Sequence, residues 1–305
     1  MKAVLAIVLR ADYGRRLMRR LSFLLFLLIA VPAFAAGLQL KPFKDKLFAY
    51  PSILAERDGG AHITVDYQEM RDINGRDEVP ERRVKTEYVR LAVRSAQQDL
   101  VAETPAGAIR HFAVGKTSGA SAIVLYMHGQ GGSRRQGVDD FTFGGNFNRI
   151  KNLMWENGGL YLSPDFSSFD DKGVAEIAAL IDHYAASSPD VPVIVACGSM
   201  GGAICWGLAN HPQAAKLLSG IVMLGSFPSD AFTGSSAARR QVPVYIGHGS
   251  RDTVFPIETV EAFYAALRKR GYPVRMARFE TGTHGTPIRM TDWRSVLNWM
   301  LAQGK

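Results

Sequence analysis

The chain has 305 residues, of which 47% are hydrophobic and 21% charged, and a formal net charge of +8. That much apolar material fits one large α/β domain or two small domains and rules out a mini-protein scaffold. With only two cysteines, Cys197 and Cys205, it is not a disulfide scaffold either.

The N-terminal stretch "RRLMRRLSFLLFLLIAVPAFAAG" has a basic front, an apolar run from Leu21 and a small-residue exit at Ala33, Phe34 and Ala35. This is the three-part pattern of a secretory signal, so residues 1–35 are expected to be a leader cleaved near Ala35. The run is short for a bilayer span and carries Pro32, which argues against a permanent anchor. The mature protein is expected to be periplasmic or secreted, without stable membrane insertion. Either Met1 or Met18 serves as a start for such a leader, and the export route stays open. Residues 1–35 hold six basic residues and one acidic one, so the mature chain keeps a net charge of only +3. A nucleic-acid partner is therefore not expected.

Residues 38–96 read as an N-terminal extension packed against a main domain. "HITVDYQEM" and "VKTEYVRLAV" have strand character, Asn74–Gly75 is a hairpin turn signal, and the charged run "RDEVPERRVK" is expected to be solvated. From about residue 97 the pattern becomes regular. "QDLVAETPAGAIRHFAV" reads as an antiparallel hairpin turning at Pro105–Gly107. "AIVLYMHG" is a buried strand, and "NFNRIKNLMWENG" is a helix closed by Gly158. "GLYL", "VPVIVA", "LLSGIVMLG", "VPVYIGHG" and "VRMARFE" follow as strands. Between and after them, "DKGVAEIAALIDHYAAS", "MGGAICWGLAN", "IETVEAFYAALRKRG" and "DWRSVLNWMLAQ" read as helices. Strands alternating with helices of ten to fifteen residues give a mainly parallel central sheet covered by helices on both faces.

The chemistry centres on "VACGSMGGAICW". Ser199 sits between small residues, after an apolar strand and before a helix. A sharp strand-to-helix turn there lifts its side chain above the sheet, near the positive end of the following helix. Cys197 occupies a packing position and Ser199 the apex, so Ser199 is the candidate nucleophile. A serine needs a base, and the base an orienting acid. "HGSRDTVFP" supplies Asp252 and "GTHG" supplies His284, each in a loop after a strand. All three fall beyond the C-terminal ends of parallel strands, where open α/β sheets place their sites. "HGQGGS" is the candidate oxyanion loop, with the backbone N–H groups of Gln130 and Met200 as donors. His128 and His248 are expected to brace their loops. Cys197 at the strand end and Cys205 in the helix are expected to point apart as reduced, buried thiols.

From about Gln98 onward, "HGQGGS", "CGSMGG", "HGSRDTVFP" and "GTHG" resemble the α/β-hydrolase superfamily on its esterase and thioesterase side. The resemblance implies the α/β-hydrolase fold over residues 97–305 and a serine hydrolase acting through a covalent acyl-enzyme. The departure is Cys197 where glycine is usual.

"GKT" at Gly115–Thr117 lacks the upstream glycine of a phosphate loop, and no zinc-ligand spacing occurs, so neither cofactor nor metal is expected. The segment "SFPSDAFTGSSAARRQ" is too short for a large lid, so the groove is expected to be open to small or polymeric esters. Arg134 and Phe255 are candidate substrate contacts, and Trp206 reads equally well as acyl-pocket lining or core. The expected activity is carboxylic-ester hydrolysis. A peptidase or amidase of the same superfamily, or a non-catalytic binding protein on this scaffold, are the alternatives. Oligomeric state is not legible.

Overall fold

The computed structural model describes residues 38–303. The expected leader lies outside the described residues. In chain order, the extension supplies β1 (Ile53–Arg57), β2 (His62–Val65), helix α1 (Glu69–Arg76), β3 (Asp77–Val79) and β4 (Arg83–Val84). The hairpin β5 (Gln97–Thr104) and β6 (Gly107–Gly115) follows, then β7 (Ile123–Met127), α2 (Asn146–Glu156), β8 (Leu160–Pro164), α3 (Asp171–Ala186) and β9 (Val193–Gly198). The remainder is α4 (Gly202–Asn210), β10 (Leu218–Leu224), β11 (Val244–Gly249), α5 (Ile257–Lys269), β12 (Val274–Phe279), α6 (Thr286–Met290) and α7 (Trp293–Gln303).

Ten strands form one sheet in the order β1-β2-β12-β11-β10-β9-β7-β8-β6-β5. Every neighbouring pair from β2 through to β8 is parallel. The outer pairs β1–β2, β8–β6 and β6–β5 are antiparallel. This is the α/β-hydrolase fold. Strand parity divides the core. Val193, Val195 and Cys197 of β9 face the layer holding α3, α4 and α5, with Ile177, Ile181, Ile204 and Val260. Ile194 and Ala196 face the opposite layer, where α2 and α7 contribute Phe147, Ile150, Trp293 and Leu297. Both faces are thus buried, which is why the central strands read as continuous apolar runs rather than alternating ones. Between Ser226 and Gln241 the chain makes only a 3₁₀ turn at Asp230–Gly234 and one helical turn at Ser236–Arg239, so this segment forms no large lid.

Several local readings of residues 38–96 require correction. Asn74–Gly75 is not a hairpin turn; it lies in α1, whose Ile73 and Arg76 are buried. The charged run is only partly solvated, because Asp77 and Val84 are buried in the small β3–β4 hairpin. The segment after Val84 is not a strand but two 3₁₀ turns, Thr86–Tyr88 and Leu91–Ala96. The turns bond their own backbone, and at Arg90 side chains take the place of a ladder. The Arg90 N–H donates to Asn148 Oδ1 at 2.9 Å, and the Asn148 and Asn152 amides donate to the Arg90 carbonyl. Those asparagines stand one turn apart on α2, fully buried. "HITV" does form a strand, and β2 pairs in parallel with β12, so the extension lengthens the main sheet.

Candidate active site

In the sheet, β7 lies between β8 and β9, and the chain leaves β7 toward β8 before crossing back to β9. Two loops therefore diverge at the carboxyl ends of β7 and β9, opening a crevice of the kind in which α/β sheets hold ligands. Ser199 stands at the end of β9 in a 3₁₀ turn, with φ of +50°. A side chain rarely adopts that conformation at no cost, and here the surroundings enforce it. The Ser226 hydroxyl donates to the Ser199 carbonyl at 2.7 Å. Gly201 packs so closely that an added Cβ would lie 2.6 Å from the Met127 carbonyl and 2.8 Å from that of His128. The elbow is thus clamped between the ends of β7 and β10.

The loops after β11 and β12 complete a continuous hydrogen-bonded chain. His284 Nδ1 donates to Asp252 Oδ2 at 2.8 Å, and the Ser199 hydroxyl donates to His284 Nε2 at 2.9 Å. Glycine makes this approach possible, since a Cβ on Gly249 would sit 2.3 Å from the Gly282 carbonyl. The Asp252 side chain is fully buried. Burial alone would raise its pKa, but the bond from His284 and those from the Phe255 and Val254 N–H groups outweigh it and hold the carboxyl below its ordinary value. The acid therefore stays ionised, and its charge fixes the imidazole tautomer that leaves Nε2 free to accept from serine.

The loop after β7 lies directly against the serine. A Cβ on Gly129 would be 2.9 Å from Ser199 Cβ and 3.4 Å from Oγ, and the exposed Gln130 follows. His128 braces this loop, donating from Nδ1 to the Gly129 carbonyl at 2.9 Å and stacking on Phe166 with centroids 4.5 Å apart. His248 is buried beneath the acid loop, where Nε2 donates to the Phe255 carbonyl at 2.9 Å. Burial holds its pKa below the usual histidine value. Phe255 packs beside the triad, its ring 5.7 Å from that of His284 and 5.3 Å from Phe227.

Two expectations are corrected here, for Arg134 and for the cysteines, and the open reading of Trp206 is resolved. Arg134 is not available to substrate: it is buried, and its guanidinium donates to both oxygens of Asp99 and to Asp165. It braces the loop after β7 against β5 and the end of β8. Trp206 belongs to the core, packed on Phe232 and Phe263 with Nε1 donating to the Phe227 carbonyl. Cys197 and Cys205 are not free thiols but a disulfide with Cα atoms 6.3 Å apart. Parity turns Cys197 toward the layer of α4, and the helical period turns Cys205 back toward the sheet beside Ile204 and Leu208. The sharp elbow then folds α4 over the end of β9, so the two side chains meet. The bond spans the segment that carries Ser199.

Ser226 was not legible as a site residue, because a serine after a strand-ending glycine has no distinguishing local pattern. Among the described residues, no cluster of histidine, cysteine and carboxylate side chains is arranged to hold a metal ion.

Comparison with known proteins agrees with this fold. A sequence model described as the dienelactone hydrolase family matches residues 160–291. No curated protein matches the chain. Among solved structures, a thermostable esterase shares the fold with a TM-score of 0.54 and 15% identity, over 68% of this chain and 62% of that one. A lipase in its open form gives 0.53 and 14%, over 68% of this chain and 99% of that one. An Agrobacterium tumefaciens protein of unknown function, provisionally assigned as an alpha/beta hydrolase, gives 0.52 and 16%, over 66% and 93%. The chain has the fold of the α/β-hydrolase class. Within that class, the segment from β8 to the end of α6 is similar in sequence to the dienelactone hydrolases.

Proposed function

We propose that the protein is an exported serine esterase that cleaves carboxylic esters through an acyl-enzyme. The observation that carries this reading is the unbroken chain from buried Asp252 through His284 to Ser199 Oγ. Ser199 Oγ attacks the ester carbonyl as His284 Nε2 takes its proton. The tetrahedral oxygen is held by the N–H groups of Gln130 and Met200, each such donor typically contributing roughly 2.7–4 kcal/mol. His284 then gives the proton to the departing alkoxide, and water, activated by the same imidazole, releases the acid. Phe255 and Phe227 supply an aromatic wall beside the histidine. The absence of a large lid favours an open groove suited to small or polymeric esters.

Two features support export. One is the leader pattern in residues 1–35. The other is the Cys197–Cys205 disulfide, because such bonds persist in oxidising compartments. Among the described residues, no helix is long and apolar enough to cross a membrane.

The test is an intact-mass measurement on mature protein and its Ser199→Ala variant after treatment with a fluorophosphonate. A single adduct on the wild type and none on the variant is the expected result. An unlabelled but folded wild type overturns the nucleophile assignment, and labelling without hydrolysis of any ester in a graded acyl series overturns the esterase reading.

A further inference from the structure

A pocket of about 290 Å³ is walled by Thr283 and Gly285, the chain neighbours of His284, and by Thr142 and Phe143. Its far wall is built from the extension, by Tyr67 and Glu81. Its volume lies at the small end of ligand pockets, which run from roughly 300 Å³ upward. Glu81 is placed there with care. It sits at the tip of the β3–β4 hairpin with φ of +60°, and its N–H donates to Asp77 Oδ2 at 2.7 Å. Asp77 is buried and takes the fork of Arg289, whose Nη1 lies 3.1 Å from Oδ1. Arg289 belongs to α6, the helix directly after His284. A buried ion pair thus fixes the hairpin to the helix behind the catalytic histidine.

The chemistry of the pocket is distinctive. Among the described residues, the Glu81 carboxylate makes no ion pair or side-chain hydrogen bond, and neither do the Thr142 and Thr283 hydroxyls. Arg289 also lines it, but its guanidinium is already engaged by Asp77. The available groups are therefore one carboxylate acceptor, the Thr142 and Thr283 hydroxyls and the face of Phe143, in front of the buried Tyr67 and Thr286. A carboxylate repels anions, and hydroxyls with an aromatic ring match a neutral, hydroxylated partner. The position decides which half of an ester it meets. His284 must hand its proton to the leaving oxygen, so an alcohol portion extending past that residue toward Thr283 and Gly285 would reach this pocket.

We propose that this pocket is a subsite for the alcohol portion of the ester, selecting a neutral polyhydroxylated group such as a sugar ring. The inference rests on the esterase reading above. Glu81 and the two threonines accept and donate hydrogen bonds to the ring hydroxyls, and Phe143 covers its apolar face.

The experiment compares kcat/KM for an acetylated methyl glucoside, acetylcholine and 4-nitrophenyl acetate. Wild type, Glu81→Gln, Thr142→Val and, as a distant control on the β5–β6 hairpin, Glu103→Gln are assayed. In Glu81→Gln the ratio of sugar ester to 4-nitrophenyl acetate is expected to fall about tenfold, since a hydrogen bond to a charged group is lost. Thr142→Val should lower the same ratio several-fold, and Glu103→Gln should keep the wild-type ratio. An unchanged ratio in both pocket variants overturns the subsite, as does a wild-type preference for acetylcholine over the sugar ester. A wild type that hydrolyses none of the three and takes no fluorophosphonate overturns the esterase reading itself. Activity on 4-nitrophenyl acetate without discrimination overturns the subsite alone.

Discussion

Gly225 offers a sharp test of how the triad is held. It follows β10 with φ of +54°, and its N–H donates to the Gly247 carbonyl at 2.9 Å. A Cβ built there would lie 2.5 Å from the His284 carbonyl oxygen, where contacts under 3.0 Å are essentially never seen. Gly225→Ala therefore carries two separable costs. The left-handed backbone costs a non-glycine residue about 1–2 kcal/mol. The clash forces the His284 backbone away by at least 0.5 Å, since Gly225 itself is tied to β11. The His284 bonds to Ser199 and Asp252 are 2.9 and 2.8 Å, so such a displacement breaks good geometry at one end. A misplacement near 1 Å costs on the order of 100-fold in rate, so kcat/KM should fall between about 10- and 100-fold. Gly271→Ala isolates the first cost. Gly271 has φ of +68°, open space around its Cβ position, and lies before β12 at the opposite end of the sheet. It should lose about 1–2 kcal/mol in urea unfolding and no activity. The assay pairs 4-nitrophenyl acetate hydrolysis and fluorophosphonate labelling rate with unfolding midpoints. Wild-type labelling and turnover by folded Gly225→Ala would refute the claim that this glycine sets the position of the histidine.

Other predictions follow from the same contacts. The Cys197–Cys205 bond closes a loop with sequence separation 8, so its loss in Cys197→Ala/Cys205→Ala should cost about 2.5 kcal/mol by loop entropy. An unfolding midpoint unchanged between oxidised and reduced wild type would contradict this. His62, His111 and His248 are all buried, and desolvation lowers their pKa values in the folded protein. Below about pH 6.5 the unfolded chain takes up protons that these folded side chains resist, so stability should decline as pH falls from 7 to 5.5. Each contributes a slope of at most about 1.4 kcal/mol per pH unit, and urea unfolding that is flat across that range would exclude it. Asp77→Ala leaves Arg289 buried without its partner and should destabilise by about 3–5 kcal/mol. The double variant Asp77→Leu/Arg289→Met should lose less than the single one, and equal or greater loss would show that the pair is not the clamp described.

Apart from the short α6, the order of strands and helices from β5 to α7 was legible because the central strands are buried on both faces and helices such as α3 and α5 bury one stripe, leaving apolar runs and helical periods in the sequence itself. Ser199, Asp252 and His284 were legible because a strained strand-to-helix turn and two strand-end loops each leave a local signature. The extension was not. Its segment after Val84 is held at the Arg90 backbone by Asn148 and Asn152, about sixty residues later, and no local propensity records that. β2 joins the sheet through β12, more than two hundred residues away. The disulfide depends on how far the elbow bends α4 back over β9, a tertiary angle that the spacing of two cysteines does not contain. Arg134 looked free because Asp99 and Asp165, which occupy it, lie on separate strands and loops. Sequence by itself determined the periodicities and the chemistry placed at each strand end. Only tertiary structure decided which distant side chains met, because those partners are chosen by the packing of whole layers rather than by their neighbours in the chain.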